Sequence, residues 1–376
     1  MSVSPSRDRP TVVLTDAKYR SSIAAARSLS RAGFRVIAAQ TRAESPLPPP
    51  VFSSNCVAEA RWLEGSTAED AFPERLAALL KEYGHPVLLC MGAASLNAAA
   101  KAGDRLREAA DFLISPPEVL DALNDKAEVH RRCLELGIPV PREYEGRPER
   151  FPVVIKPHCG EKQGLKAAER YYVAEDEAGF RRALAALEPY DPRPIVQEKV
   201  EGDGAGASLL LGREGELLGA ICHRRIREYP IGGGPSTCCE SVYDAEKVRL
   251  AHRLLASFGF QGLAMVEFKG NRVLEVNPRI WGSFPLTACA GSPLAVNYAR
   301  ASAGERISYA PEDYAAGVRM RFLLNDSAAL LSLLTHGKAV AFLHGLGDLF
   351  RAREALSDRR DPAPFRVYLR QTLLHR

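Results

Sequence analysis

The sequence lacks most of the features that would place a chain in a membrane, on nucleic acid or around a structural metal. No run approaches the roughly 20 apolar residues of a membrane-spanning helix, and Met1 to Pro10 is polar, without the apolar centre of a secretory leader. Both absences predict a cytoplasmic protein with no stable membrane insertion. Eight cysteines stand at 56, 90, 133, 159, 222, 238, 239 and 289, with no C-x-x-C pair and no histidine spacing that closes a zinc site. Most are therefore read as small buried apolar side chains, and no disulfide framework is expected. The vicinal Cys238-Cys239 pair makes a poor redox or metal feature, because successive side chains on a strand point to opposite faces. A dominant charge is missing too: 50 basic against 46 acidic residues leave +4. No recognition-helix spacing accompanies that mild excess, so nucleic acid is not an expected partner. No G-x-G-x-x-G follows the first apolar strand, which removes the dinucleotide reading.

What is present is an ordinary globular composition, 46% hydrophobic and 26% charged over 376 residues, enough for two or three domains. Thr11 to Thr15 reads as a strand, Ser21 to Ala32 as a helix closed by Gly33, and Arg35 to Ala39 as a second strand. This β-α-β opening implies a parallel sheet. Ala71 to Tyr83 reads as a helix, Val87 to Met91 as a buried strand and Phe112 to Ile114 as another, before a break at Ser115-Pro116-Pro117. Ligands of open α/β sheets sit beyond the carboxyl ends of strands, which makes Asp16, Tyr19, Arg20 and Ser95 candidates for touching substrate. Helix capping is the competing role for Asp16 and Ser95.

The chemistry concentrates between Gly262 and Gly291. Two β-rich runs, Ala264 to Phe268 and Arg272 to Val276, flank Lys269-Gly270-Asn271, a pattern that predicts a hairpin. Asn277 lies two residues beyond Glu275 and so points to the same face, and Glu267 comes from the facing strand. Two carboxylates and an amide oxygen suit Mg²⁺, which takes hard oxygen donors and fills its octahedron with water and phosphate. Arg279, two residues further, is placed to clamp a phosphate or carboxylate with its forked guanidinium.

Glu267, seven residues, then Glu275-Val276-Asn277-Pro278-Arg279 resembles the magnesium-binding end of the ATP-grasp ligases, in particular their carbamoyl-phosphate synthetase and biotin carboxylase branch. Upstream, Asn124-Asp125-Lys126 before a helix ending in Gly137-Ile138-Pro139-Val140-Pro141, and the strand end Ile155-Lys156-Pro157, are similar to that family's two phosphate-lysine motifs. The resemblance implies that Lys126 and Lys156 bind nucleotide phosphate. It implies that Glu198, Lys199 and Val200 meet the adenine edge, and that Asp203, or Glu201, takes the ribose hydroxyls. The loop His158 to Gly164 holds only two glycines where the family has more, so Lys162 would supply charge there.

His223-Arg224-Arg225-Ile226-Arg227-Glu228, followed by Ile231-Gly232-Gly233-Gly234-Pro235-Ser236, would place Arg225 and Arg227 on one face of a strand and Arg224 and Glu228 on the other. A solvated basic strand is the plain alternative. Within the resemblance this region holds the acceptor, with Arg225, Ser236 and Glu240 as contacts, and the sequence looks most like the carboxylate–amine ligase group that includes D-aspartate ligase.

The implied architecture is α/β with an α+β half: a parallel-sheet preATP-grasp domain over residues 1–120, an ATP-grasp domain over 121–305 holding nucleotide between two subdomains, the smaller at about 151–200, and a mostly helical extension over 306–376. A terminal helix from Phe365 to Leu374 is read as packing on the body, with a dimer contact or a membrane surface as alternatives. The implied catalytic set is Arg279, Lys156 and Arg225. ATP and Mg²⁺, as two ions with Mn²⁺ as a substitute, are the implied cofactors. Small carboxylates and amines, amino acids among them, are the implied substrates, and a homodimer stays open. Two readings compete with amide formation: an ATP-dependent carboxylase using bicarbonate through carboxyphosphate, and a non-catalytic ATP-binding protein.

Overall fold

The computed structural model describes residues 10–158, 165, 171–231 and 234–374. The expectation for Lys162 and most of its loop, and the central glycines 232–233, lie outside the described residues. The chain opens with β1 (Thr11–Thr15), α1 (Arg20–Arg31), β2 (Arg35–Thr41), β3 (Glu59–Leu63), α2 (Phe72–Lys81) and β4 (Val87–Cys90). These strands form a wholly parallel sheet in the order β3-β2-β1-β4. Apolar runs such as Val12-Val13-Leu14 are buried on both faces, as a helix-covered parallel sheet requires. Strand β3 was not legible in the sequence, because Glu59-Ala60-Arg61 reads as a polar loop; it is an edge strand, where charge is tolerated.

The strand expected at Phe112 to Ile114 is not formed. These residues are buried, but among the described residues the pairing there is a single bridge from Asp111 to Val87. After α3 (Ala93–Ala102) and α4 (Asp104–Arg107), the prolines read as a break stand at the start of α5 (Pro117–Asn124), Pro116 as its N-cap and Pro117 at the first helical position, which suits proline.

Helix α6 (Lys126–Glu135) leads to a small antiparallel sheet, β6-β5-β7, made from β5 (Val153–Lys156), β6 (Tyr172–Ala174) and β7 (Ile195–Glu198) and backed by α7 (Glu177–Leu187). It has its own core of Val153, Ile155, Phe180, Leu187 and Val196. The larger sheet runs β12-β11-β8-β9-β10-β13-β14. It uses β8 (Gly204–Leu211), β9 (Leu217–Glu228), β10 (Ser236–Val242), β11 (Gly262–Lys269), β12 (Arg272–Asn277), β13 (Arg319–Arg321) and β14 (Arg353–Glu354). Helix α8 (Ala245–Ser257) precedes the β11–β12 hairpin; α9 (Pro285–Ala290) and α10 (Leu294–Ser302) follow it. The chain closes with α11 (Leu323–Thr335), α12 (Ala339–Leu346), α13 (Asp348–Arg351) and α14 (Ala363–Leu374).

The N-terminal sheet shares its core with the large sheet: Val13 and Leu88 belong to one apolar cluster with Leu209 and Val266. Gly262, at φ +108°, fits that junction because a Cβ there would stand 2.5 Å from the Leu113 carbonyl oxygen. Phe365 and Tyr368 of α14 pack on the body, while Leu373 is exposed. Five of the seven described cysteines are buried, Cys238 and Cys239 among them. No helix of the described residues is long and apolar enough to cross a membrane.

Candidate active site

The hairpin forms as its sequence predicts, and its register brings the two acids together. Glu267 on β11 is the direct cross-strand partner of Glu275 on β12. The pairing then shifts, Phe268 facing Val273, so Leu274 is left out of register. This bulge matters chemically, since the Leu274 carbonyl accepts from Lys156 Nζ at 3.5 Å. Glu275 takes a second lysine: Lys126 Nζ stands 3.0 Å from its Oε2. Lys126 is held at the first residue of α6 by the Asp125 cap, whose carboxylate accepts from the Ala127 and Glu128 N–H groups. Asn277 Nδ2 donates to Glu267 Oε1 at 3.0 Å, and Arg225 Nη2 lies 3.3 Å from Glu267 Oε2.

These charges perturb one another. Burial, reinforced by the neighbouring Glu275, pushes the Glu267 carboxyl above the usual carboxylate range. Burial acts in the same direction on Glu275, but Lys126 and Lys156 outweigh it and hold that carboxyl below its ordinary value. Burial lowers Lys156 to about 8, partly opposed by Glu275 and assisted by the like charge of Lys126. The two facing carboxylates are thus shifted in opposite directions.

All these groups border one cavity of about 1130 Å³ between the small and large sheets, together with Glu198, Lys199, Val200, Asp203, Asn277 and Arg279. Glu201, the alternative to Asp203, is not on its wall. Ser95, Ser236 and Glu240 are not brought there either. Ser95 is wholly buried in the N-terminal domain, bonded to Thr15 Oγ1 at 2.7 Å and to the Asp16 carboxylate, so its role is to tie two strand ends together. Tyr19 and Arg20 are likewise absent from the wall, and the Arg20 guanidinium stacks 3.8 Å from the Phe322 ring centroid. Ser236 donates to the Cys238 carbonyl, and Glu240 is paired with Arg224 at 2.7 Å and Arg319 at 3.2 Å.

The expected division of faces along β9 is also revised. Irregular pairing between β9 and β10 turns Arg225 toward Glu228, 2.9 Å away, and Glu267, whereas Arg227 is held by Asp326 at 2.8 Å and Asp348 at 2.5 Å. Arg225 Nε is buried without a partner among the described residues. The sequence reading missed Glu228, Ile231, Trp281, Ala329 and Leu333, which also line the cavity. Glu228 and Trp281 adjoin motifs it had identified; Ala329 and Leu333 lie on α11, where apolar periodicity carries no sign of a cavity.

The donor set fits a hard divalent cation. Among the described residues no cluster of three His, Cys, Asp or Glu side chains could hold a metal. Two facing carboxylates and an amide are instead the sparse protein set that Mg²⁺ accepts when phosphate and water complete its shell.

Residues 123–283 match the family model of the ATP-grasp domain, so the chain carries an ATP-grasp domain over that span. Among curated proteins, the carbamoyl phosphate synthase large chain of Rubrobacter xylanophilus is 27% identical over 344 residues, covering 82% of this chain and 31% of its own length. The chain thus spans about a third of that relative. The biotin carboxylase domain of Hydrogenobacter thermophilus 2-oxoglutarate carboxylase, crystallised as a dimer with MgADP, ADP and bicarbonate, superposes with a TM-score of 0.61 at 15% identity, over 84% of this chain and 74% of that one. N5-carboxyaminoimidazole synthetase of Staphylococcus aureus, complexed with ADP, gives a TM-score of 0.58 at 13% identity, over 80% and 79% of the two chains. At these identities the likeness is one of fold.

Proposed function

We propose that the protein is an ATP-dependent carboxylate–amine ligase that forms an amide through an acyl phosphate and releases ADP and phosphate. The observation that carries this reading is the convergence, on one cavity, of the Glu267–Glu275 pair and Asn277 with Lys126 and Lys156. Lys126 and Lys156 bind the nucleotide phosphates. Glu267, Glu275 and Asn277 hold Mg²⁺, which when bound screens phosphate charge and orients the terminal phosphoryl group. The N–H groups of Glu198 and Lys199 donate to the Arg142 and Pro152 carbonyls, so the adenine contact is assigned to Val200 and to carbonyl oxygens of this stretch, with Asp203 on the ribose.

In the first step a substrate carboxylate oxygen attacks the γ-phosphorus, the bond to the bridging oxygen breaks and ADP departs. In the second an amine nitrogen attacks the acyl carbon, phosphate leaves and the amine proton passes to solvent. Arg279 and Arg225 stabilise the charge on the transferring group and on the acid. Phosphoryl transfer asks mainly for positioning and charge neutralisation, which is what this donor set offers. Homodimer formation belongs to the same proposal, the H. thermophilus domain being described as a dimer.

The test is Mg²⁺-dependent ADP release across a matrix of amino acids and other carboxylates, with hydroxylamine present to trap acyl phosphate as hydroxamate. A hydroxamate names the acid. Glu275→Gln should lower ADP release by about 100-fold or more with the thermal midpoint little changed; activity near wild type would remove the metal assignment. The bicarbonate-bound structural neighbour favours a carboxylase as the second reading. ADP release stimulated by bicarbonate, with no hydroxamate from any carboxylate, would install it instead.

A further inference from the structure

The cavity wall changes character beyond the metal-binding hairpin. Arg225 touches Glu267 on one side and Glu228 on the other. Past Glu228 the wall is Ile231 from the β9–β10 turn, Trp281 after the hairpin, and Ala329 and Leu333 from α11. Helix α11 is tied to β9 by the Arg227–Asp326 ion pair, so Ala329 and Leu333 reach the cavity beside the strand that carries Arg225. The charged neighbour that could make this end polar is neutralised: Arg227 is gripped by Asp326 in two-point fashion at 2.8 Å and by Asp348.

The same grip fixes α11. Asp326 is fully buried, also accepts from Thr237 Oγ1 at 3.1 Å, and sits one turn before Ala329. The Leu323 N–H donates to Glu354 at 2.7 Å, anchoring the helix start. Leu333 and Ala329 are thus presented by a rigid element, as a specificity surface requires. Helix α11 also lies outside the span that matches the ATP-grasp domain model, so this wall is supplied by the chain's own C-terminal segment.

Building on the ligase reading, we propose that the acid activated here carries an apolar side chain, received by Ile231 and Leu333 on the cavity wall that Arg225 also lines. An acid as small and polar as bicarbonate leaves the half-buried Ile231 and Leu333 side chains without an apolar partner. An aliphatic acid covers them, and each buried methylene is worth about 4-fold in affinity. Ile231 and Leu333 are specificity residues in this scheme and take no part in the chemistry.

The experiment measures ADP release and hydroxamate formation over glycine, alanine, 2-aminobutyrate and norvaline, and over acetate, propionate and butyrate, in the full-length protein. The expected result is kcat/KM rising by about 4-fold per methylene in at least one series. Leu333→Asp should flatten that rise through KM for the acid while KM for ATP is unchanged, and Leu333→Phe should move the optimum to shorter chains. Thermal midpoints and ADP affinity show whether each variant is folded; should Leu333→Asp fail that check, Leu333→Ala carries the test. Uniform kcat/KM along both series, or a slope that survives in the Leu333 variants, would overturn the apolar-acid proposal and leave the ligase reading intact. Absence of ADP release with these acids, where a polar acid of the wider matrix gives hydroxamate, would overturn the apolar-acid proposal alone; absence across the whole matrix would overturn both.

Discussion

Lys156 shows what burial does to a single phosphate-binding side chain. The residue is 8% exposed and its ammonium is depressed to about 8, first by desolvation and then by Lys126, with Glu275 opposing. Only the charged form attracts phosphate, so ADP affinity should weaken as pH rises through about 8, by up to tenfold per unit once deprotonation dominates. Stability runs the other way. The unfolded lysine stays protonated up to its ordinary 10.5, so between about 8 and 10.5 the unfolded chain binds the extra proton and the nucleotide-free protein gains stability with rising pH. Calorimetric ADP titrations from pH 7 to 9.5 should show this loss in wild type and a flat profile in Lys156→Arg, whose guanidinium keeps its charge. Parallel profiles in the two proteins would show that another group titrates. His223 lies nearby with a different history: burial, helped by Arg225, lowers it to about 4, and it remains neutral at physiological pH.

At the scale of elements, the β11–β12 hairpin was legible because its information is local: alternation, a Lys-Gly-Asn reversal, and acids whose spacing fixes their face. Helix α7 is set just as locally, Asp176 accepting from the Gly179 N–H at its start. The unpaired Phe112 to Ile114 segment, the β9 faces and the cavity wall on α11 were not legible, since each depends on partners distant in sequence. Arg227 is the clearest case. Strand alternation assigned it to Arg225's face, yet its direction is set by Asp326 and Asp348, 99 and 121 residues away. Breaking a buried pair strands a charge, so Asp326→Ala should cost about 3 kcal/mol, moderated because Asp348 remains. Urea unfolding of that variant, of Arg227→Met and of the double variant would check it. The double should lose less than the sum of the singles, and simple additivity would mean that the pair is not coupled.

Over the whole molecule, the C-terminal segment acts as a strap between sheets as well as a wall of the cavity. Leu356 belongs to the same apolar cluster as Val12 and Leu89 of the first sheet and Leu210 and Met265 of the large one. The polar counterpart is Asp361, 1% exposed, whose carboxylate accepts from Arg27 Nε at 2.8 Å, Ser54 Oγ at 2.7 Å and the Asn55 N–H at 3.1 Å. Arg27 completes the latch by donating to the Leu356 and Asp361 carbonyls. All three partners of that carboxylate lie more than 300 residues earlier, so the latch couples the N-terminal domain to the segment that carries α11. Asp361→Ala leaves the buried Arg27 guanidinium without its counter-charge and should cost about 3–5 kcal/mol. Hydrogen exchange locates the effect. If the strap is integral, protection should fall together in α1, in β1 and in α14, and the acid KM should rise as α11 loses its footing, with KM for ATP less affected. If the C-terminal segment is instead an appendage, only α14 will exchange faster, and α1 and the acid KM will match wild type; the cavity wall on α11 would then be held by the Arg227 grip and the Leu323–Glu354 hydrogen bond without the latch.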